Sequence, residues 1–515
     1  MASLATGALP SFTHQQILRV LSGILLCIFL AAIDQTVVIP AVPAMAAELN
    51  GFGHLSWIVS AYLLTATATT PIYGRLSDIY GRRFLLLPAL LIFAVASACC
   101  ALSQTLVQLI VARALQGIGG AGLMSMAQAA IADVVSPRER GKYQGYMAST
   151  WGIASVAGPI VGGWVTQAIS WRWIFWMNLP IALLALILCD RSLRILARRA
   201  QKSVRIDYLG ATLLTAAVSC WLVMLSWGGV EMPWTAPPIA ILFLAGLLLG
   251  LVLVWQERRA PEPLLPPRLF ANQVVVGGVL IGFFTALGLF GATFLLPLFF
   301  QLVRGFDAGA SGFLVVPFLG SNCLGAFVAG QFARKLGRTK AILLAGLSGC
   351  VAGFLLLAAL GPNTPLALTL IFQLVLGASV GLVMPSSLVM VQNAAERRDV
   401  GIATGTLLFL RSMGGAFGST VVGALLASRF SQTLLEHGIH AELNLSEARG
   451  HGAAIAGLPP GIEAVISSGL VSGFHLAFLT CAGLLVLAVL ITLRTRDLPL
   501  QSSADLGKEP TVLAH

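Results

Sequence analysis

Long apolar runs separated by short polar loops dominate this chain from end to end. Each run has about the 20 apolar residues that a helix needs to cross the hydrocarbon core of a bilayer. The pattern therefore predicts an all-α polytopic membrane protein with 14 transmembrane helices. The runs occupy 17–40, 55–73, 84–102, 106–130, 144–166, 173–189, 208–227, 237–255, 274–300, 312–332, 341–360, 366–390, 402–428 and 471–493.

Composition and charge agree with this class. Of the 515 residues, 57% are hydrophobic and 10% are charged, whereas soluble chains carry about 25% charged residues. The net charge of +11 comes mainly from loops that follow even-numbered runs. By the positive-inside rule, both termini lie in the cytoplasm, and we expect a multi-pass protein of the cytoplasmic membrane and no nucleic-acid partner. Loops after odd-numbered runs hold only four basic residues: Arg172, Arg304, Arg429 and Arg449.

A repeated loop divides the chain. GRLSDIYGRR after the second run matches GQFARKLGRT after the tenth without a gap. Runs one to six therefore correspond to runs nine to fourteen, and two six-helix halves are typical of transporters with a site at the interface between the halves. The predicted parts are an N-terminal half (1–190), a two-helix central insert with linkers (191–272), and a C-terminal half (273–515) with an outer loop at 429–470 and a cytoplasmic tail.

Asp34 and Arg113 are charges placed well inside predicted spans. Asp34 lies six residues before Pro40, ~9 Å from the outer end of its span, and Arg113 lies seven residues into its own, ~10 Å. One interpretation is a structural ion pair that allows both charges to be buried. The other is a protonation switch, because burial favours the neutral acid whereas the arginine favours the ionised form. We favour the switch, since ionisable groups inside membranes are functional by default.

Arg411 is the third charge inside a predicted span. The ungapped repeat places Phe290 where the first half has Asp34, so we expect proton chemistry in the first half. Arg411 then has either a gating or packing role, or simply donates hydrogen bonds to backbone carbonyls.

The loop GRLSDIYGRR suggests a tight turn and a latch. Gly74 and Gly81 permit a sharp connection between helices. Asp78 can accept hydrogen bonds from a helix start or pair with an arginine, and Arg82 and Arg83 anchor the inner face. The alternative is a turn that serves only as a topology signal.

GIASVAGPIVGGW in the fifth run combines small residues with a helix breaker. Gly158, Gly162 and Gly163 form a flat stripe along one helix face, and Pro159 removes a backbone hydrogen bond and can kink the helix. The stripe serves either close packing against a neighbour or a moving interface.

Enzyme motifs are missing from the sequence. The G-x-G-x-x-G pattern in QGIGGAG lies within a span, so it is not a dinucleotide site. HExxH, a Walker loop, paired CxxC and G-x-S-x-G do not occur, so we expect neither an enzyme nor a metal site, and no cofactor beyond a proton gradient. An importer, a membrane sensor or scaffold, and a membrane enzyme were the rival interpretations.

Together these motifs resemble the major facilitator superfamily, in particular its 14-span drug:proton antiporter branch (EmrB/QacA type). The resemblance rests on IDQTVVIPAVP, GRLSDIYGRR, RALQGIGGAG and GPIVGG, which occur in the family's order. It implies that Asp34 is shared by protons and substrate and that Arg113 assists proton transfer. It also implies that Asp78 belongs to an inner-face latch.

The resemblance implies proton-coupled multidrug efflux of small lipophilic or cationic compounds by alternating access. A proton-coupled importer or exporter of one specific metabolite is the alternative. The expected partners are the substrate, protons and the lipid bilayer. We expect a functional monomer, and the sequence leaves open whether an outer adaptor protein is required.

Overall fold

A computed structural model describes residues 13–49, 55–195, 207–229, 232–261, 263–436 and 460–500. Every structural statement below concerns these residues. Most of the predicted outer loop, at 437–459, and the end of the tail, at 501–515, lie outside the described residues.

Fourteen helices of fifteen residues or more lie in the described part of the chain, one in each predicted run. We number only these. They are α1 (His14–Val37), α2 (Leu55–Tyr80), α3 (Arg82–Leu102), α4 (Leu106–Val134), α5 (Pro137–Ala168), α6 (Asn178–Ser192), α7 (Tyr208–Trp227), α8 (Pro237–Arg259), α9 (Gln273–Leu302), α10 (Ala308–Leu336), α11 (Lys340–Ala358), α12 (Leu366–Ala394), α13 (Val400–Glu436) and α14 (Pro460–Arg494). Helices α13 and α14 extend into the segment that we predicted as outer loop.

Twelve helices in the described residues are long and apolar enough to cross a membrane. The two that fall short are α2 and α5, although they are 26 and 32 residues long. Both line the contact between the two halves of the molecule, so they present small and polar residues where a lipid-facing helix would present large apolar ones. The sequence predicted fourteen spans, and the structure supports twelve by length and composition.

Two large clusters of buried apolar side chains make up most of the core of the described residues. One large cluster of buried apolar side chains draws its members from the segment between Val20 and Leu193. A second draws its members from the segment between Val274 and Ala488. Helices α7 and α8 pack beside the seam between α2 and α13, where Val218 and Leu253 join a smaller cluster. Each six-helix half therefore has its own core, and the insert lies against their junction.

Two glycine contacts join the halves at one end of the bundle. A Cβ added at Gly74 of α2 would lie 2.6 Å from the carbonyl oxygen of Gly401 in α13. A Cβ added at Gly141 of α5 would lie 2.7 Å from the Cα of Gly330 in α10. Small residues allow this close approach of backbones. We call this end of the bundle the basic face, after the arginines of the two repeated loops. Asp78 and Asp399 also lie there.

Helices α5 and α10 diverge away from the basic face. A Cβ at Gly152 of α5 would still lie 2.3 Å from the sulfur of Cys323 in α10. Farther along the facing sides of the two helices, a Cβ at Gly163 of α5, or at Gly320 or Gly312 of α10, would meet no atom within 4 Å. The halves therefore touch at the basic face and open toward the opposite end.

Candidate functional site

Asp34 is fully buried within the first half. Arg113 of α4 donates from Nη1 to Oδ2 of Asp34 at 2.7 Å. Gln116 Nε2 and Asn178 Nδ2 donate to Oδ1 at 2.9 and 2.7 Å. Three side-chain donors therefore surround the Asp34 carboxylate in this conformation.

Arg113 is as deeply buried as its partner, with 1% of its surface exposed. Its Nη1 also donates to Gln116 Oε1 at 2.7 Å, and its Nε donates to the carbonyl oxygen of Ile58 at 3.2 Å. The guanidinium lies 4.5 Å from the centre of the Tyr62 ring, a cation–π distance. The cation is therefore compensated by one charge, two neutral acceptors and an aromatic face.

Ser97 of α3 connects the donors behind Asp34. It accepts from Asn178 Nδ2 at 3.0 Å and from Gln116 Nε2 at 3.3 Å, and it donates to the carbonyl oxygen of Phe175 at 2.9 Å. The network therefore ties α1, α3, α4 and α6 together around the carboxylate, and a change of charge on Asp34 acts on all four helices.

The sequence pattern predicts one depth for Asp34 and Arg113 but gives no role to Gln116 or Asn178. A signal for each was present. Gln116 is three residues after Arg113, a spacing that puts both on one helix face. Asn178 is an amide within an apolar run, and buried polar groups require partners.

Asp78 lies on the basic face, where it joins the halves. Its two carboxylate oxygens accept from the backbone N–H groups of Gly401 and Ile402 at 3.0 and 2.8 Å. These are the first amides of α13, where the helix dipole favours an anion. Arg82 pairs with Asp78 at 2.8 Å and with Asp133 at 2.8 Å. Asp78 therefore both caps a helix of the other half and pairs with an arginine, the two contacts that the sequence suggested.

The turn that we predicted from two glycines is wrong in one respect. Gly74 is not in a turn, because α2 continues to Tyr80, and it serves instead as the flat contact with Gly401. Gly81 does lie at the turn, with a φ of 91° that favours glycine. Its repeat partner Gly337 has a φ of 65°. Arg83 pairs with Asp190 of α6 at 2.5 Å, within its own half.

A second acid strengthens the basic face. Asp399, which precedes α13, accepts from Arg268 Nε and Nη2 at 2.9 and 3.0 Å. Arg75 of α2 lies 3.7 Å from the same carboxylate. The linker that follows α8 and the first half are thus both tied to the start of α13.

The predicted glycine stripe of α5 faces two directions. A Cβ at Gly158 would lie 2.0 Å from Thr36 Oγ1, and one at Gly162 would lie 2.2 Å from the carbonyl oxygen of Val37. Both glycines therefore pack against α1 next to Asp34. Gly163 does not belong to this stripe; it lies on the side that opens toward α10, and Pro159 is exposed inside the helix.

Arg411 contacts α12, not the first half. Its Nη2 donates to the carbonyl oxygen of Met384 and, at 2.8 Å, to Ser387 Oγ. These contacts match the interpretation in which Arg411 hydrogen-bonds to a neighbouring backbone. A gating role stays a prediction.

Comparisons with known proteins agree on a family. A family model described as Major Facilitator Superfamily matches residues 24–419. The chain is 35% identical over 416 residues to the multidrug transporter protein MdtP of Bacillus subtilis, covering 81% of this chain and 76% of the relative. It is 33% identical over 421 residues to multidrug resistance protein 3 of the same organism, covering 81% and 80%.

A solved structure supports the fold alone. The proton:xylose symporter XylE superposes with a TM-score of 0.63 at 15% identity, over 96% of this chain and 100% of that one.

Proposed function

Because this chain belongs to the major facilitator superfamily, we propose that it exports small lipophilic or cationic compounds in exchange for protons. Its place is the cytoplasmic membrane, with fourteen spans including α2 and α5 and with the basic face toward the cytoplasm. This is the plan of the 14-span drug:proton antiporters. Two relatives named for multidrug transport or resistance support a role in drug transport.

The observation that carries the proposal is the buried pair of Asp34 and Arg113. A carboxylate with no exposed surface is expensive in a membrane protein and is a functional group by default. Its partners Arg113, Gln116 and Asn178 lie on two other helices, so protonation, which removes the charge that they hold, loosens contacts between α1, α4 and α6.

The two ends of the molecule suggest how the cycle is divided. The halves touch at the basic face and open at the other end, which corresponds to an outward-open state if the basic face is cytoplasmic. Asp34 is buried among its three donors in this state, and in this scheme the next step is proton uptake from outside. Closure then exposes the site to the cytoplasm, where the proton leaves and substrate binds. Each proton charge contributes about 2.3 kcal/mol per 100 mV of membrane potential.

Gly158 and Gly162 give this proposal a mechanical element. They hold α5 against α1 directly beside Asp34, whereas Gly163 and Pro159 lie toward the opening. A change in charge at Asp34 is therefore passed to a helix that contacts both halves. Asp78 and Arg82 latch the basic face shut while the opposite end is open.

Transport by purified protein in proteoliposomes tests the proposal. We expect an imposed proton gradient to drive accumulation of a lipophilic cationic dye, and we expect Asp34→Asn to abolish the dependence on the gradient. Asp497→Asn, which alters an exposed pair with Arg338, serves as the matched control and retains activity. Transport that ignores the gradient, or full activity of Asp34→Asn, contradicts the proposal.

The same assay separates the alternative functions. Dye movement in the direction of the protons favours an importer, and activity limited to one compound favours a metabolite transporter. Activity of the reconstituted chain alone, at one copy per vesicle, supports a functional monomer that requires no outer adaptor.

A further inference from the structure

Asp207 and Glu257 are acids of the central insert, and they are not part of the Asp34 site. Asp207 caps the start of α7, and Glu257 lies in the last turn of α8, where only 6% of it is exposed. A Cβ on Gly210 would lie 2.6 Å from Asp207 Oδ2 and 2.9 Å from Glu257 Oε1. Both oxygens therefore lie within 3 Å of one point beside Gly210.

Each acid has one satisfied oxygen and one that faces the other acid. Asp207 Oδ1 accepts from the Gly210 N–H at 2.8 Å and from Gln256 Nε2 at 3.3 Å. Glu257 Oε2 accepts from the Leu265 N–H at 2.9 Å. Within the described residues, Asp207 Oδ2 and Glu257 Oε1 have no hydrogen-bond partner. A buried carboxylate oxygen without a donor is costly, and two carboxylates that share a site do not both ionise readily.

We propose that Asp207 and Glu257 form a second proton-binding site, which holds one proton between the two carboxyl groups at neutral pH. The proton supplies the hydrogen-bond donor that the facing oxygens lack and removes the repulsion between the charges. Arg75 of α2 is a cation whose charge acts on Glu257, and it also pairs with Asp399 at 3.7 Å. The site is separate from Asp34, which lies inside the first half.

The position of this site connects it to the basic face. Leu265, whose amide N–H donates to Glu257, lies in the linker that follows α8. Arg268 of the same linker pairs with Asp399 at 2.9 Å. The shared proton lets Glu257 stay buried with this tether in place. Loss of the proton at high pH leaves two repelling charges and loosens the linker.

Infrared difference spectroscopy on the purified chain in lipid nanodiscs tests the site without any transport. We expect the carbonyl band of a protonated carboxyl at pH 7, and we expect selective carbon-13 labelling of glutamate to shift it. Glu257→Gln and Asp207→Asn each remove the band, whereas Asp34→Asn and the exposed control Glu396→Gln keep it. Glutamine at 257 can still accept from the Leu265 amide, so this variant should fold, and size exclusion checks that it does.

The outcomes are distinct from those of the transport assay. A spectrum that neither Glu257→Gln nor Asp207→Asn changes at any pH overturns the proposal. A band that appears only after chelation or removal of sodium and calcium also overturns it, because the pair is then a cation site. Loss of the band in both variants, with intact transport, supports the second site and leaves the role of Asp34 untouched.

Discussion

Neutralising Asp34 alone should damage the fold more than neutralising Asp34 and Arg113 together. In Asp34→Asn, the oxygen can still accept from Gln116 and Asn178, but the new amide then points its N–H groups at the guanidinium of Arg113. Arg113 has 1% of its surface exposed and cannot turn to water. Asp34→Asn/Arg113→Leu removes the buried cation as well, so no charge is left buried without a partner.

The contacts set the expected size of the effect. Removing one member of a buried ion pair costs about 3–5 kcal/mol. Arg113 keeps the carbonyl of Ile58, the Gln116 oxygen and the Tyr62 ring, so we expect about 3 kcal/mol for Asp34→Asn. Removing both charges of a buried pair avoids this cost, because no charge is then left buried without its partner. The double variant should therefore be more stable than Asp34→Asn by at least about 1 kcal/mol, although neither variant should exchange protons.

A double-mutant cycle measured by denaturant unfolding in micelles gives the coupling energy directly. The control cycle uses Glu48 and Arg172, an ion pair whose side chains are 51% and 28% exposed, for which about 0–1 kcal/mol is expected. If the double variant is no more stable than Asp34→Asn, or if the two cycles give the same coupling, the buried pair is not held as described.

Three further results are expected. Gly162→Val should lower the free energy of unfolding by about 1–3 kcal/mol through overpacking and should abolish transport, because a Cβ there would lie 2.2 Å from a carbonyl oxygen of α1. Gly163→Val has open space around it and should be near wild type in both stability and transport. Asp78→Asn should remove about 2 kcal/mol of charge-assisted capping. It should speed hydrogen exchange of the first amides of α13 by roughly 30-fold. Unchanged exchange would argue against the latch. The Arg172 guanidinium, with help from the Trp171 indole, lowers the pKa of Glu48. The ionised Glu48 therefore adds stability above the usual glutamate pKa of about 4.3, and this stability is lost as the pH falls through the lowered pKa. Thermal unfolding of wild type and Glu48→Gln should converge in acid.

The sequence predicted the helices well because the membrane imposes a simple rule. Every backbone polar group must be satisfied within its own helix, so a run of apolar residues leaves few choices. Helices α2 and α5 are the informative exceptions. Their position between the halves replaces lipid-facing side chains by glycine, serine and threonine, and the apolar signal weakens at this contact.

The site was predicted in part, and the missing part has a physical reason. A charge in an apolar run is visible without a structure, which is why Asp34 and Arg113 stood out. Neutral donors such as Gln116 and Asn178 give a weaker signal, since polar amides also occur in loops and at helix ends. The turn assigned to Gly74 failed because glycine serves sharp turns and close backbone contacts equally well, and only the partner at Gly401 decides between them.

The two glycine contacts at the basic face are alike in shape and unlike in charge. Gly74 against Gly401 is accompanied by the carboxylate of Asp78, whereas Gly141 against Gly330 has an arginine, Arg334, at the position that matches Asp78 in the repeat. The backbone of Arg334 accepts from Arg138 Nε at 3.0 Å. Acidity therefore acts on the side that carries the Asp78 carboxylate, whereas the arginines on the other side keep their charge. We therefore expect this end of the molecule to open as a tilt that starts along α2 and α13, at the contact that includes Asp78. The two halves should not separate evenly across the basic face.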